Sequence, residues 1–75
     1  MTYSEFESNQ ATYRNKSLRK GQSLMIYLWE VWRDEYNRIT SLDYYDETDI
    51  DCFYNDDLIP NTLEHLKKVW YKYPN

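Results

Sequence analysis

The segment "SLRKGQSLMIYLWEVWRDEYNRI", residues 17–39, decides the fold because it carries the strongest helical periodicity in the chain. At about 100° per residue, one face of this segment collects large apolar side chains and the other collects polar and charged ones. The apolar face consists of Leu18, Gly21, Met25, Leu28, Trp29, Trp32, Tyr36 and Ile39. Ser17 suits the N-cap position. The pattern predicts one long amphipathic helix over residues 17–39.

Three positions of this segment fit the pattern imperfectly. Gly21 stands inside the predicted helix, where a glycine costs about 1 kcal/mol relative to alanine. Either the helix begins there or a neighbouring element packs closely against it. Ile26 and Tyr27 fall on the polar side of the helical wheel. They are either single exposed side chains, which are common on protein surfaces, or contacts to another element, a second subunit or a partner.

A further helix is predicted near the end of the chain by the segment "IPNTLEHLKKVWYKY", residues 59–73. One apolar stripe runs along it, formed by Ile59, Leu63, Leu66, Trp70 and Tyr73. Pro60 suits the first turn of a helix, and Pro74 ends it. This stripe predicts a C-terminal helix over residues 58–73.

The first 16 residues are predicted to form either a short helix or an arm that orders on contact. Ser4 and Glu7 have the spacing of a capping box, which favours the helix. No alternating strand pattern extends beyond a few residues. The sequence therefore predicts an all-α fold, a small three-helix domain with a long acidic, aromatic-rich connection before the last helix. That connection spans residues 40–57.

Length and composition limit the possible classes of protein. A chain of 75 residues makes a single domain, and 14 of its residues are Phe, Trp or Tyr, more than one small core requires. Surplus aromatic side chains on a surface are frequent anchors for binding. A single cysteine, a polar N-terminus and the lack of a long apolar run predict a cytoplasmic protein with no membrane association.

The connection contains the stretch "DYYDETDIDCFYNDD", residues 43–57, which has seven acidic residues and no basic one. The rest of the chain has nine basic and six acidic residues, so the charge is strongly uneven. A net charge of −4 argues against direct binding of nucleic acid, which requires clustered Lys and Arg. The stretch is either a solvated connection with apolar anchors or a negative binding surface.

Metal binding and catalysis fit these residues poorly. A calcium loop starting at Glu47 would need glycine at its sixth position and glutamate at its twelfth, but Cys52 and Leu58 occupy them. One cysteine and one histidine, Cys52 and His65, cannot complete a structural zinc site. We therefore predict no metal, no cofactor and no enzymatic activity.

The negative surface is the more specific hypothesis. Carboxylates along a rigid surface can reproduce the field of a phosphate backbone and occupy the basic groove of a protein that handles nucleic acid. Tyrosine rings beside them would supply contact area. The predicted protein-binding residues are Asp46, Glu47, Asp49 and Asp51 as electrostatic contacts, with Tyr44, Tyr45 and Tyr27 as anchors.

Two blocks, "RKGQSLMIYLWEV" at 19–31 and "DCFYNDDLIPNTLEHLKK" at 51–68, carry an Arg-x-Gly-Gln-x-Leu and an Asp-x-Phe-Tyr-x-Asp pattern. The matching residues are Arg19, Gly21, Gln22, Leu24, Asp51, Phe53, Tyr54, Asp56 and Ile59. In these blocks the chain resembles small uncharacterised proteins of bacteriophages and prophages. The resemblance covers a little under half of the chain, which departs from the pattern by a longer acidic insertion.

The resemblance implies an accessory protein that acts in the host cytoplasm by binding a host protein with a basic surface and inhibiting or redirecting it. Effectors of CRISPR immunity, restriction enzymes and exonuclease complexes are the natural candidates. The residues of the pattern themselves suggest a structural role. Gly21 would shape the start of the long helix, and Asp56 or Asp57 would cap the last one.

Two other functions stay open. In the first, the chain is a self-associating structural module, a homodimer in which Ile26, Tyr27 and Trp29 pair two copies across the long helix. In the second, a weaker one, the basic residues Arg14, Lys16, Arg19 and Lys20 hold a nucleic-acid backbone.

Overall fold

The structure, a computed structural model, describes residues 1–13, 17–41 and 49–74. These residues form four α-helices and two short 3-10 turns, with no strand among them. The helices are α1 (Tyr3–Thr12), α2 (Lys20–Val31), α3 (Arg33–Thr40) and α4 (Ile59–Val69), and the 3-10 turns are Asp56–Leu58 and Trp70–Lys72. The all-α prediction is confirmed, whereas the described residues hold four helices in place of the predicted three.

The additional helix arises because the segment predicted as one helix divides at Trp32. This residue has φ −151° and ψ 73°, well outside helical values. The hydrogen bonds continue on both sides of it: its N–H donates to the Leu28 carbonyl at 2.7 Å, and its own carbonyl accepts from Tyr36 at 3.2 Å. The helical hydrogen-bond register therefore hardly changes at Trp32, and the apolar periodicity of the sequence runs across it. For this reason periodicity alone does not reveal the break.

Helix α1 begins with a capping box, two residues earlier than the sequence pattern suggested. The Glu5 N–H donates to the Thr2 hydroxyl at 3.1 Å, and the Thr2 N–H donates to the Glu5 carboxylate at 2.7 Å. Together these bonds satisfy two backbone donors that the first turn would otherwise leave free. The helix is docked by Phe6, whose fully buried ring stacks on Tyr27 of α2 with centroids 5.4 Å apart.

The core is built around aromatic rings from three helices and the C-terminal turn. Trp70 lies at its centre, with its ring centroid 5.0 Å from Phe6 and 5.2 Å from Trp32. Its indole N–H donates to the Met1 carbonyl at 2.9 Å, so the polar atom of this large side chain is satisfied. The buried apolar residues are Phe6, Leu24, Met25, Leu28, Trp32, Ile39, Ile50, Cys52, Leu66 and Trp70.

A charged cluster joins α3 to α4 within this core. The side chain of Glu35 is completely buried, and its carboxylate accepts from Arg38 Nε at 2.9 Å and contacts His65 Nε2 at 2.7 Å. Charged groups remain buried in a folded protein only when they are paired in this way. In the described part of the chain, every buried side-chain nitrogen and oxygen has a hydrogen-bond partner.

The helices are all short. Among the residues that the structure describes, no helix has the length and apolar character needed to cross a lipid bilayer.

Leu66 of α4 offers a test of the packing, because its side chain is fully buried. We expect Leu66→Ala to lower the free energy of unfolding by about 2–5 kcal/mol, since the lost contacts leave a cavity. A single domain of this size holds only about 3–5 kcal/mol in total, so much of the variant should be unfolded at 25 °C. Circular dichroism during urea unfolding measures the change.

The neighbouring exposed residue supplies the control: Lys67→Ala should change the free energy of unfolding by less than about 0.5 kcal/mol. Equal urea midpoints for the two variants would contradict the position of Leu66 in the core.

Candidate binding surface

The described part of the acidic connection, residues 49–57, is shaped by side chains that bind the backbone two residues ahead. Asp49 accepts from the Asp51 N–H at 3.1 Å, and Asp51 accepts from the Phe53 N–H at 3.0 Å. Asn55 accepts from the Asp57 N–H at 3.0 Å. Asp and Asn favour such turns because their short side chains reach the local backbone. Part of the acidic composition therefore serves to fix the path of the chain.

Asp56 serves another element, the start of α2. Its carboxylate accepts a hydrogen bond from the Gly21 N–H at 2.9 Å. The residue before α2, Arg19, supplies no side-chain cap of its own, so an acid 35 residues away performs this function. A carboxylate is also favoured at this position by the positive end of the helix dipole.

The prediction that Asp56 or Asp57 caps the last helix is therefore wrong. Asp56 caps α2, Asn55 caps the Asp56–Leu58 turn, and α4 has no side-chain cap. The error has a physical cause: a carboxylate next to one helix in sequence can reach the free amides of another in space.

Gly21 is required by the close approach of residues 52–56 to α2. A Cβ atom at this position would overlap the carbonyl oxygen of Cys52 and lie 3.1 Å from the Asp56 carboxylate. The Cys52 thiol in turn donates to the Gly21 carbonyl at 3.5 Å. Both explanations for this glycine hold: α2 begins at Lys20, one residue before it, and residues 52–56 pack closely against it.

Arg19 completes the contact between the two sequence blocks. Its guanidinium donates to the Phe53 carbonyl at 3.1 Å and lies 5.8 Å from the centre of the Tyr54 ring. The first block thus contributes Arg19 and Gly21 to a single joint, and the second contributes the residues that face them. We call this joint the motif clamp: Arg19, Gly21, Cys52, Phe53 and Asp56.

The same segment is also tied to α4. The Thr62 hydroxyl donates to the Ile50 carbonyl at 2.7 Å, and the Asn61 amide donates to the Asp49 carbonyl at 3.4 Å. Ile50 and Cys52 are buried, whereas Asp49 is exposed and Asp51 half-buried. Alternate residues therefore anchor the segment and turn its carboxylates outward.

The outward side chains form what we call the acidic strip: Asp49, Asp51, Tyr54 and Asp57. Ion pairs within the described ranges join Glu35 to Arg38 and His65, and Glu64 to Lys68, and none includes a carboxylate of the strip. The Tyr54 side chain is 80% exposed. The strip therefore combines a projecting ring with negative charge that no described basic side chain neutralises by an ion pair.

Only some of the predicted contact residues can be placed. Asp49 and Asp51 lie on the acidic strip. Tyr44, Tyr45, Asp46 and Glu47 lie outside the described residues. Tyr27 lies on the side of α2 that faces α1, half-buried, with its ring 5.4 Å from Phe6 and 4.8 Å from Tyr13.

Tyr54 and Asp57 also belong to the strip; the sequence counts both toward the charge and contact area of the acidic connection, although neither was among the seven residues predicted as contacts. The sequence signal was present, because Tyr54 belongs to the Asp-x-Phe-Tyr-x-Asp pattern and Asp57 follows it. That pattern, however, indicated a turn and gave no sign of which of the two adjacent rings, Phe53 or Tyr54, would project into solvent.

The side chains with the reactive chemistry of a nucleophile or base, Cys52 and His65, are engaged within the fold. The Cys52 thiol is buried, and this desolvation raises its pKa to about 11, so it stays protonated at neutral pH. His65 contacts the buried carboxylate of Glu35. Within the described residues, no three His, Cys, Asp or Glu side chains converge as a metal site would require.

An open groove of about 420 Å³ lies between the start of α1 and the C-terminal turn, lined by Met1, Thr2, Tyr3, Glu5, Trp70 and Tyr71. Its polar side chains, Thr2 and Glu5, are engaged in the capping box described above. Aromatic side chains therefore line the groove, and its one carboxylate, that of Glu5, is already hydrogen-bonded in the capping box of α1.

The motif clamp can be tested by replacing Gly21, because the sign of the change in the free energy of unfolding depends on whether the clamp forms. We expect Gly21→Ala to destabilise the protein by about 1–3 kcal/mol, because the new methyl group must displace the Cys52 carbonyl. In an open helix the same change would stabilise by about 1 kcal/mol. Urea unfolding followed by tryptophan fluorescence distinguishes the two signs.

Lys20→Ala, at the exposed preceding residue, is the matched control and should change stability by less than about 0.5 kcal/mol. A Gly21→Ala variant more stable than the native chain would show that the clamp does not form.

The burial of Cys52 predicts a protected thiol. Native protein at pH 8 should react with a chromogenic disulfide reagent much more slowly than protein unfolded in urea, because the thiolate is disfavoured and access requires opening. The urea-unfolded sample is the control for the number of reactive thiols. Complete reaction of the native protein at the rate of the unfolded chain would refute the buried position.

Comparisons with known proteins leave the function to be inferred from this geometry. No protein-family model matches the chain, and no curated protein or solved structure is significantly similar to it. The resemblance to bacteriophage proteins stays a prediction from the two sequence blocks. What the structure adds is that these blocks meet in the motif clamp.

Proposed function

We propose that this chain is a non-enzymatic, phage-type accessory protein that binds a host protein with a basic surface and inhibits or redirects it. The acidic strip is the contact surface in this proposal. The observation that carries it is the combination of an 80% exposed Tyr54 with carboxylates held by backbone amides.

Preorganisation is the first support for this role. Binding by a flexible loop loses affinity because each side chain that becomes ordered costs about 0.5–1.5 kcal/mol. Asp49 and Asp51 are already fixed by their hydrogen bonds to the backbone, and the segment beneath them is anchored to α2 and α4. The strip therefore has little conformational freedom left to lose when a partner binds.

Charge is the second support. The stretch at 43–57 contains seven carboxylates and no basic residue, so its field attracts a positively charged partner before contact. Such steering raises the association rate and weakens as salt screens the charges, over a Debye length of about 8 Å at physiological ionic strength. Tyr54 adds apolar area that salt does not screen.

These properties favour a partner that handles nucleic acid, such as a CRISPR effector or a host nuclease. A groove that binds a phosphate backbone is lined with Lys and Arg and with surfaces on which bases stack. Fixed carboxylates beside a projecting tyrosine match both features of such a groove. We infer that the chain occupies it in place of the nucleic acid and does not itself bind nucleic acid.

The non-enzymatic part of the proposal is supported by the structural use of the reactive side chains. The Cys52 thiol is desolvated and protonated, and the His65 imidazole contacts Glu35 inside the protein. The Cys52 thiol therefore lacks the exposure and the lowered pKa of a nucleophile prepared for catalysis, and the His65 ring is engaged with a buried carboxylate.

The decisive experiment compares capture of host proteins from a bacterial lysate by the native chain and by a strip variant. The variant carries Asp49→Asn, Asp51→Asn, Asp57→Asn and Tyr54→Ala. Asparagine keeps the acceptor oxygen that the turns need and removes only the charge. We expect recovery of the partner to fall at least about tenfold, since each lost 1.4 kcal/mol of binding free energy is a factor of ten.

A control variant with Glu7→Gln, Asp34→Asn and Glu64→Gln removes the same number of charges from exposed positions outside the acidic connection. It should recover the partner as well as the native chain does. Recovery should also decline as salt is raised. Equal recovery by the strip variant and the control would refute the proposed surface, and a second variant with Asp46→Asn and Glu47→Gln extends the test to the residues predicted from sequence.

A further inference from the structure

The outer face of α2 carries an aromatic residue that neither the core nor the acidic strip uses. Of the three tryptophans, Trp32 and Trp70 are core residues, whereas Trp29 is 42% exposed. Ile26, one turn earlier on the helix, is half-buried and does not belong to the apolar cluster of the core. An exposed tryptophan is costly to leave in water and is among the commonest anchors of protein interfaces.

Trp29 is held in place by Arg33. The guanidinium lies over the indole at 4.1 Å from the ring centre, a close cation–π contact. Arg33 is exposed and belongs to none of the ion pairs in the described ranges. The ring is therefore fixed, and the positive charge above it is not neutralised by an ion pair with a described carboxylate.

A negatively charged residue follows Trp29 on the helix. Glu30 is exposed, and its hydrogen bond with the Tyr13 hydroxyl raises the pKa of that tyrosine. The Tyr13 ring in turn lies 4.8 Å from Tyr27. We call this surface the Trp29 patch: Tyr13, Ile26, Trp29, Glu30 and Arg33. It combines apolar area with one charge of each sign.

We propose that the Trp29 patch is a self-association surface that binds a second copy of this chain about a two-fold axis. In a two-fold interface each residue faces the same surface of its partner, so the patch must be complementary to itself. A two-fold axis that passes between Glu30 and Arg33 makes the two copies of α2 antiparallel. It places each Glu30 carboxylate opposite the Arg33 guanidinium of the other copy, with the two Trp29 indoles flanking these pairs. The proposal does not rest on the proposed function.

A second copy fits this patch better than the basic host protein inferred above. The host protein is proposed to bind a negatively charged surface, whereas the charges of Glu30 and Arg33 cancel. The area needed is also within reach: about 500 Å² on each copy suffices for a specific but weak contact, roughly a tenth of the 5005 Å² of accessible surface. The expected dimer is therefore weak, in equilibrium with the monomer at about 100 µM.

The structure also identifies the residue to change. Tyr27, which the sequence grouped with Ile26 and Trp29 as a pairing residue, stacks on the buried ring of Phe6. Its replacement would disturb the core and the patch together. Trp29→Ala removes the exposed anchor alone, so its effect on association can be separated from any effect on folding.

Sedimentation velocity from about 10 µM to about 1 mM tests the proposal, since this range brackets the weak association expected of a contact this small. The native chain should shift from monomer to dimer over this range, and Trp29→Ala should weaken dimerisation at least tenfold with an unchanged circular dichroism spectrum. A native chain that remains monomeric throughout would overturn the proposal.

Charge exchange tests the two-fold geometry itself. Glu30→Arg gives a patch with two positive charges, and Arg33→Glu gives one with two negative charges. Each variant alone should remain monomeric, whereas an equimolar mixture should form heterodimers, because every charge then faces its opposite. Lys67→Glu, on α4, is the control and should dimerise like the native chain.

If both single variants dimerise as the native chain does, or if their mixture stays monomeric while each is folded, the proposed pairing is wrong. Loss of dimerisation leaves capture of the host partner by the acidic strip unaffected, so the outcomes of the two proposals are distinguishable.

Discussion

The whole arrangement depends on how the backbone amides at the start of α2 are satisfied. A helix leaves its first N–H groups without partners inside the helix, and the N-cap residue of α2, Arg19, makes no side-chain cap bond. Asp56 supplies the acceptor from 35 residues further along the chain. This single bond requires residues 52–56 to lie against the helix, which in turn excludes any side chain at Gly21. The position of the acidic strip follows from that contact.

Periodicity was a good guide to the helices and a poor guide to their ends. It predicted most of the buried residues of α2, α3 and α4, because burial and the helical repeat have the same origin. It also placed Trp29 on the apolar face, where the structure leaves that ring 42% exposed. It missed the break at Trp32, where the hydrogen bonds persist while the backbone turns. A bulky ring that must reach Trp70 and Tyr73 imposes this turn through tertiary packing, which local patterns do not contain.

The candidate surface was predictable in its chemistry and only in part in its geometry. Uneven charge identified the acidic connection, and Asp49 and Asp51 do lie on the strip. Tyr27 could not be assigned from sequence, because its position on the polar side of the wheel says nothing about a ring arriving from α1. The same holds for Glu35, whose burial depends on Arg38 and on His65 from a distant helix. For both residues, burial is determined by contacts with residues distant in the sequence.

The turns at Asp49 and Asp51 have one consequence for how such a protein can change over time. The backbone amides there require an acceptor oxygen, which an amide side chain offers as well as a carboxylate does. The strength of the local negative field can therefore change by single Asp–Asn exchanges while the path of the chain is retained. The charge of this surface can therefore evolve separately from the fold that carries it.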